Sequence, residues 1–101
     1  LNNDISMEDI IKQVSVLSSV PEKEIVGVSR KMEISKARQI SMYLCREIMG
    51  ASLNNIGMYF GGRDHTTVMH AVKCIKEKNE KEEEIKTFIM SVKQDLGYAF
   101  S

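Results

Sequence analysis

Two adjacent glycines, Gly61 and Gly62, interrupt the chain between two segments whose apolar residues recur at helical spacing. The segment before them begins at Ser52 and the segment after them begins at Asp64, two residue types that favour helix N-termini. The apolar positions are Leu53, Ile56 and Phe60 in the first segment and Val68, Ala71, Val72 and Ile75 in the second. Because a helix-turn-helix unit consists of two helices joined by a tight turn, this stretch predicts one.

The rest of the chain also shows helical spacing, and no segment shows the alternating pattern of a strand. Helices are expected at residues 7–18, 21–27, about 35–49, 52–60, 64 to about 75, and about 82–96. The charged stretch 76–84 is expected to be a helix continuation or a turn, and residues 27–34 are expected to be a loop. The sequence therefore predicts an all-α fold of about six helices around a helix-turn-helix core.

Length and composition limit the class of protein. A chain of 101 residues with 43% hydrophobic residues predicts one globular domain over residues 1–101. No apolar run approaches the ~20 residues of a membrane span. Because the first residue is Leu1 and not Met, we expect the chain to be a piece of a longer protein. Cys45 and Cys74 fall in expected helices and form no disulfide framework, so we expect reduced core thiols and a cytoplasmic protein.

Polar side chains gather at the start of the helix that follows the glycine turn. Asp64, His65, Thr66 and Thr67 occupy the positions where a helix-turn-helix protein places its base contacts. A carboxylate can accept from cytosine N4, imidazole can donate or accept at a base edge, and a threonine methyl can pack on a thymine methyl. Asp64 alone would be taken for a helix N-cap, and the two roles are compatible. The pattern favours sequence-specific DNA binding.

Charge is balanced overall but unevenly distributed. The formal net charge is zero, which counts mildly against a nucleic-acid binder. Residues 29–46, however, carry five basic side chains against Glu33 alone, whereas residues 77–84 carry five Glu against two Lys. Because binding depends on the local field, a basic face can hold phosphates while the far end is acidic.

Three blocks of this sequence carry a family resemblance. They are residues 61–71 (GGRDHTTVMHA), residues 38–44 (RQISMYL) and residues 52–60 (SLNNIGMYF). In this order and spacing they closely resemble the C-terminal DNA-binding domain of the bacterial chromosomal replication initiator DnaA. The resemblance covers roughly Ser6 to Glu77. It implies an excised C-terminal domain that binds short asymmetric boxes of double-stranded DNA in a replication origin.

The resemblance also implies roles for individual residues. Asp64, His65 and Thr66 would contact bases in the major groove, and Arg30 would enter the minor groove. The implied phosphate contacts are Lys31, Arg38, Gln39, Arg46, Leu53, Asn54 and Thr67. ATP would bind an upstream module outside this chain, and other copies of the initiator would assemble through domains outside it. No cofactor, metal or enzymatic activity is expected in this chain itself.

Other classes of function fit less well. A helix-turn-helix transcription regulator is the nearer alternative, and a helical protein-interaction module is the more distant one. An enzyme is disfavoured because the chain has no phosphate-binding Gly-rich loop and no recognisable nucleophile–base pair. Zinc is disfavoured because there is no Cys-x-x-Cys motif and His65 and His70 are five residues apart, which does not place both on one helix face.

The chain departs from the family pattern around the predicted loop. The family loop is usually strongly basic, but Met32 and Glu33 stand here, and Ala37 replaces a usual Pro. A carboxylate near the phosphate backbone would repel it. We therefore expect weak binding by the isolated domain and a gain in affinity from Glu33→Lys that is larger at low salt.

Overall fold

The computed structural model describes residues 4–98 and has six helices. They are α1 (Met7–Ser18), α2 (Glu22–Ile25), α3 (Met32–Met49), α4 (Leu53–Tyr59), α5 (His65–Lys81) and α6 (Glu83–Asp95). No strand occurs within this part of the chain. The predicted all-α architecture and the helix pair on either side of the glycine turn are therefore confirmed.

Three helices begin at side-chain caps, and two of these caps, Ser52 and Asp64, stand at the helix starts expected from the sequence. Ser6 and Asp9 form a capping box on α1, in which each side chain accepts from the other residue's backbone N–H at 3.1 and 3.0 Å. Ser52 Oγ accepts from Asn55 N at 3.1 Å at the start of α4. Asp64 Oδ1 accepts from Thr67 N at 2.9 Å at the start of α5. Each bond satisfies an N–H that has no partner inside its helix.

Helix α3 forms the centre of the molecule and packs against α1, α2, α4 and α5. One side of α5 lies along α3, and α6 closes the core by packing on α1 and α5. The largest side chains with less than 2% exposure that fill this core are Ile10, Val14, Ile25, Met42, Leu44, Ile56, Phe60, Val68, Ile75, Ile85, Ile89 and Val92. They come from all six helices, so burial of this one core fixes the position of α5 relative to the other elements.

The structure corrects the expected start of the third helix. The sequence predicts a loop over residues 27–34, but α3 already begins at Met32. Ser35 resembles a helix N-cap by residue type, yet its backbone N–H donates to Lys31 O at 2.8 Å inside the first turn. Glu33 in that turn is compatible with the positive end of the helix dipole. The loop before α3 is therefore shorter, and Glu33 belongs to the helix.

One further expectation, the placement of Tyr43 on α3, is corrected, and one alternative left open for residues 76–84 is decided. The helical spacing places Tyr43 on a polar face with Gln39 and Arg46, but Tyr43 is only 7% exposed. Burial raises the pKa of its phenol, and a hydrogen bond to Glu47 adds to the effect. Tyr43 is therefore a core residue with a polar tip. The charged stretch 76–84 is expected from the sequence to be a helix continuation or a turn. The structure shows that α5 continues into it as far as Lys81.

The two cysteines differ in their surroundings, and both are free. Cys45 is fully buried, as expected, and burial raises the pKa of its thiol to about 12. Cys74 is only half-buried, so the expectation of a core position holds for one cysteine and not for the other. Within residues 4–98, no helix is both long and apolar enough to cross a membrane.

Candidate nucleic-acid interface

The turn between α4 and α5 depends on a very close backbone approach. The N–H groups of Gly62 and Arg63 both donate to Gly57 O, at 3.0 and 2.9 Å. A Cβ at Gly57 would overlap the carbonyl oxygen of Arg63, which only glycine avoids. Gly61 and Gly62 both have φ of +80°, the left-handed region that favours glycine. The three glycines therefore set the angle at which α5 leaves the turn.

The start of α5 presents four consecutive polar side chains to solvent. Asp64, His65, Thr66 and Thr67 are all exposed, as the sequence predicts. The backbone N–H of Thr67, followed by its hydroxyl, lowers the pKa of the Asp64 carboxyl. Asp64 is therefore an anion at neutral pH, and it is fixed in position by the same bond that caps the helix. An ordered acceptor at this place can contact a base edge.

The segment between α2 and α3, residues 26–31, carries the exposed Arg30 and Lys31. Ser29 shapes the segment from within, because its Oγ accepts from Lys31 N at 3.2 Å. Its carbonyl oxygen accepts from the Arg38 guanidinium at 2.9 Å. We call residues 26–31 the basic loop. Arg30 is thus flanked by two fixed neighbours while its own side chain lies in solvent.

Arg38 holds the basic loop from the α3 side. Its Nε donates to Ile25 O at 2.7 Å and its Nη2 donates to Glu24 O at 2.9 Å, in addition to the Nη1 bond to Ser29 O. The side chain is 6% exposed, and burial lowers its pKa, with the nearby Arg63 charge as the second cause. The predicted phosphate contact of Arg38 stays a prediction, and it would have to use the guanidinium N–H groups outside these three bonds. The structure gives this side chain a role within the fold that the sequence does not reveal.

Arg63 holds the basic loop from the other side and has no role in the sequence-based predictions. Its Nη2 donates to Gly27 O at 2.7 Å, and its Nη1 donates to Phe60 O at 2.6 Å. Arg63 is the residue directly before the N-cap Asp64. The only signal in the sequence is its place after the double glycine, because Gly27, its partner in the basic loop, lies 36 residues away.

A groove between α3 and α5 brings several of the predicted phosphate-contacting residues together. Gln39 and Arg38 line it from α3, and Thr67 lines it from α5. The residues that share this groove without having been predicted are Ser35, Met42, Arg63, His70, Ala71 and Cys74. His70 is exposed, so the groove opens to solvent along α5. We call it the α3–α5 groove.

The remaining predicted phosphate contacts lie near the corner between α3 and α4. Arg46 is exposed, and its Nη1 donates to Ala51 O at 2.8 Å across that corner. Asn54 is exposed, whereas Leu53 is half-buried and packs on the core. Leu53 can therefore offer only its backbone N–H to a phosphate. The structure thus divides the predicted residues into the α5 start with the α3–α5 groove, the basic loop, and this corner.

Glu33 does not share the α3–α5 groove. It lines a separate apolar cleft with Lys36 and Ala37, which α6 closes with Glu84 and Phe88. The expectation that Glu33 belongs to the basic loop is therefore wrong, because the helix has already begun and turns this side chain toward α6. Met32, the other unusual residue of the segment, is exposed in the first turn of α3.

In the part of the chain that the structure describes, the side chains that could ligate a metal ion do not come together. No group of three His, Cys, Asp or Glu side chains there is placed to hold a metal ion. Cys45 is buried in the core, whereas His65 is exposed at the start of α5.

Six helices, the glycine turn between α4 and α5, and the exposed polar start of α5 define a helix-turn-helix domain. Comparison with known families identifies which one. Residues 7–75 match the family model described as the bacterial dnaA protein helix-turn-helix, and the chain belongs to this family.

Individual relatives agree with the family match. The chain is 42% identical over 93 residues to the chromosomal replication initiator protein DnaA of Bifidobacterium animalis subsp. lactis, which covers 92% of this chain and 16% of the relative. It is 40% identical to DnaA of Limosilactobacillus reuteri, over 93% of this chain and 21% of that protein. It is 38% identical to DnaA of Thermus thermophilus, over 85% and 20%. The chain therefore spans about a fifth of the length of these relatives.

A solved structure shows the same fold. The crystal structure of a DNA replication initiation factor superposes with a TM-score of 0.77 at 31% sequence identity, covering 88% of this chain and 27% of that one. The expected resemblance to the C-terminal domain of the DnaA family is thus confirmed both by sequence and by fold.

Proposed function

We propose that this domain binds double-stranded DNA sequence-specifically at replication-origin boxes, in the initiation of chromosome replication. The observation that carries the proposal is the exposed, capped start of α5, where Asp64, His65, Thr66 and Thr67 are held in order behind a glycine turn. This is the part of a helix-turn-helix unit that enters the major groove. Membership of the DnaA helix-turn-helix family and the names of the relatives support the same role.

In this proposal, the two exposed regions have different tasks. Asp64, His65 and Thr66 contact base edges in the major groove, where every base pair has its own pattern of donors and acceptors. Arg30 enters the adjacent minor groove, where a narrow, A·T-rich groove concentrates negative potential. Lys31, Gln39 and Thr67 contact phosphates, as do the residues at the α3–α4 corner, and these contacts set the register without reading sequence.

The experiment is a titration of labelled duplexes with the domain, followed by fluorescence anisotropy at fixed salt. One duplex carries a family-type origin box, a second carries the same bases scrambled, and a third probe is the single strand. We expect the origin box to be preferred to the scrambled duplex, and both to be preferred to the single strand. Equal binding to box and scrambled duplex would overturn sequence-specific recognition. Preference for a transcriptional operator over the box would favour a helix-turn-helix regulator instead.

Asp64→Asn tests the base contact separately from the helix cap. Asparagine caps a helix as well as aspartate, so the domain should keep its thermal stability. The substitution replaces one acceptor oxygen by an NH₂ donor, which a cytosine N4 cannot pair with. We expect a loss of about tenfold on the origin box and little change on the scrambled duplex. Lys86→Ala, which removes an exposed charge on α6, is the matched control and should leave both affinities unchanged.

The task of the longer protein extends this proposal. The relatives are about five times as long as the chain, and their printed name is chromosomal replication initiator protein. We infer that ATP binding and assembly with further copies belong to modules upstream of this domain. The domain itself would then determine where on the chromosome the longer protein binds, without an enzymatic step of its own. This binding would take place in the bacterial cytoplasm.

A further inference from the structure

We propose that Arg63 is a positioning residue that couples the basic loop to the helix-turn-helix turn, so that Arg30 and the start of α5 are held at one fixed separation. The inference rests on the proposed function, since it concerns how two DNA-contacting regions are kept in register. It goes beyond that function because it assigns the register to a side chain that need not touch DNA.

The geometry places Arg63 between two backbone segments that have no other direct hydrogen bond among those of the described residues. One of its terminal nitrogens donates to Gly27 O in the basic loop, and the other donates to Phe60 O at the end of α4. The turn also touches the loop directly, because a Cβ at Gly61 would lie 3.1 Å from Val26 O. The guanidinium therefore bridges two surfaces that are already in contact, three residues before Arg30 on one side and one residue before Asp64 on the other.

The chemistry of the bridge requires an arginine. A guanidinium is planar and permanently charged, and it presents its N–H donors in a fixed fork, so two carbonyls can be held at a set distance. A lysine ammonium is a compact point charge on a flexible stem and does not fix two acceptors in this way. Hydrogen bonds from a charged donor are also roughly twice as strong as neutral ones. The separation of the two carbonyls is thus defined by one rigid group.

Arg38 completes the arrangement from the opposite direction. It binds the carbonyls of Glu24, Ile25 and Ser29, so the carbonyl of residue 27 that Arg63 binds lies between the positions that Arg38 fixes. The two positive charges are close enough for Arg63 to lower the pKa of Arg38. Two like charges near each other oppose the fold, and the five bonds to carbonyls offset that repulsion. Without Arg63, Arg38 would still hold the loop to α3, but among the described residues no direct hydrogen bond would join the loop to the turn, and only the packing of Gly61 against Val26 O would remain.

When Arg63 is replaced, we expect the basic loop to lose its fixed position relative to the turn, while the domain stays folded. The loop that carries Arg30 would then have many conformations in the free protein. Because ordering it on DNA costs conformational entropy, Arg30 would contribute little to binding. Arg63→Ala should therefore reproduce the effect of Arg30→Ala, namely a loss of about tenfold on boxes with A·T-rich flanks and a smaller loss on G·C-rich flanks.

A double-mutant cycle tests this coupling on duplex DNA. The wild type, Arg30→Ala, Arg63→Ala and the double variant are titrated on a box with A·T-rich flanks across a range of salt concentrations. If Arg63 acts through Arg30, the double variant should bind within about twofold of the weaker single variant, because the second change removes nothing further. Independent contacts would instead multiply the two losses, to about a hundredfold, and would lower the salt slope by about one more unit. That result would overturn the proposal.

Arg63→Lys distinguishes the bridging role of the guanidinium from the effect of its positive charge. It also replaces Arg63→Ala in the cycle if the alanine variant does not fold. The lysine keeps the positive charge but not the planar fork, so it should behave in the cycle as Arg63→Ala does. Wild-type affinity for the lysine variant would mean that a local charge is sufficient, and the positioning role would be wrong.

Amide hydrogen exchange without DNA tests the inference independently of the proposed function. In the Arg63 variants, exchange at residues 27–31 should become at least several-fold faster, while the buried amides of α3 around Leu44 exchange as in the wild type. A uniform increase over the whole domain would indicate a purely structural role and would overturn the inference. If wild-type protein does not bind duplex DNA at all, the proposed function fails, and the exchange result still decides whether Arg63 holds the loop.

Discussion

For Gly57→Ala, helix propensity predicts a gain in stability, whereas packing against the turn predicts a loss. Gly57 lies inside α4, where alanine is favoured over glycine by about 1 kcal/mol in helix propensity. The same residue is buried under the turn, and a Cβ there would overlap the Arg63 carbonyl oxygen and approach its carbonyl carbon at 3.1 Å. The clash is with backbone, so no side chain can rotate away to relieve it.

The expected cost follows from what must move. Displacing Arg63 breaks the bonds from Gly62 N and Arg63 N to Gly57 O, each of which contributes about 0.5–1.5 kcal/mol. Overpacking of a well-packed site adds about 1–3 kcal/mol. After the gain in helix propensity is subtracted, Gly57→Ala should lower the free energy of unfolding by about 1–5 kcal/mol. The middle of this range, ~3 kcal/mol, corresponds for a domain of this size to a fall in Tm of roughly 12–24 °C.

Thermal and urea unfolding followed by circular dichroism at 222 nm would measure this cost. Gly50→Ala is the matched control, because Gly50 has φ of +67° but nothing lies within 4 Å of an added Cβ. It should cost only the ~1–2 kcal/mol of a left-handed conformation. A Gly57→Ala variant as stable as the wild type, or more stable, would refute the argument that the turn needs this close approach.

Two further predictions concern charge at the proposed interface. Arg46→Ala should weaken binding to all duplexes alike and reduce the salt slope by about one, while the lost bond to Ala51 O lowers stability by no more than about 1.5 kcal/mol; an unchanged slope in the folded variant would remove Arg46 from the phosphate contacts. Glu33→Lys should change duplex affinity by less than about twofold at physiological salt, since Glu33 lies beside Lys36 and Glu84 in the cleft toward α6; a several-fold gain would restore the sequence-based expectation that this carboxylate opposes DNA.

Periodicity and capping residues were sufficient to predict the helix-turn-helix core. Ser52 and Asp64 begin their helices as predicted, and Val68, Ala71 and Ile75 are buried on α5. These features depend on side chains within one or two turns of each other, which the sequence displays directly. The exposed polar residues at the start of α5 follow from the same local pattern.

The features that the sequence did not reveal depend on distant backbone. The family resemblance implies that Arg38 contacts a phosphate, but nothing local in the sequence shows that three of its nitrogens donate to carbonyls 9 to 14 residues away. Arg63 bonds a carbonyl 36 residues away. Tyr43 follows the spacing of a polar face, yet α5 and Glu47 provide a place for its hydroxyl below the surface. In each case the side chain alone does not show whether its partner is water, DNA or the chain itself.

The neutral composition can be reconciled with a DNA-contacting face by the length of α5. Five glutamates lie in residues 77–84, and the first residue of α5 is His65. At about 1.5 Å rise per residue, Glu80 lies about 22 Å along the helix from its start. The Debye length at physiological ionic strength is about 8 Å, so Glu77 and Glu80, the two glutamates of this stretch that lie on α5, are screened from a phosphate at the α5 start. In contrast, four cations lie near the turn between α4 and α5. They are Arg30 and Lys31 in the basic loop, and Arg38 and Arg63, which bond that loop. The field that a phosphate would meet there is set by these nearby cations, and the net charge of the whole chain does not describe it.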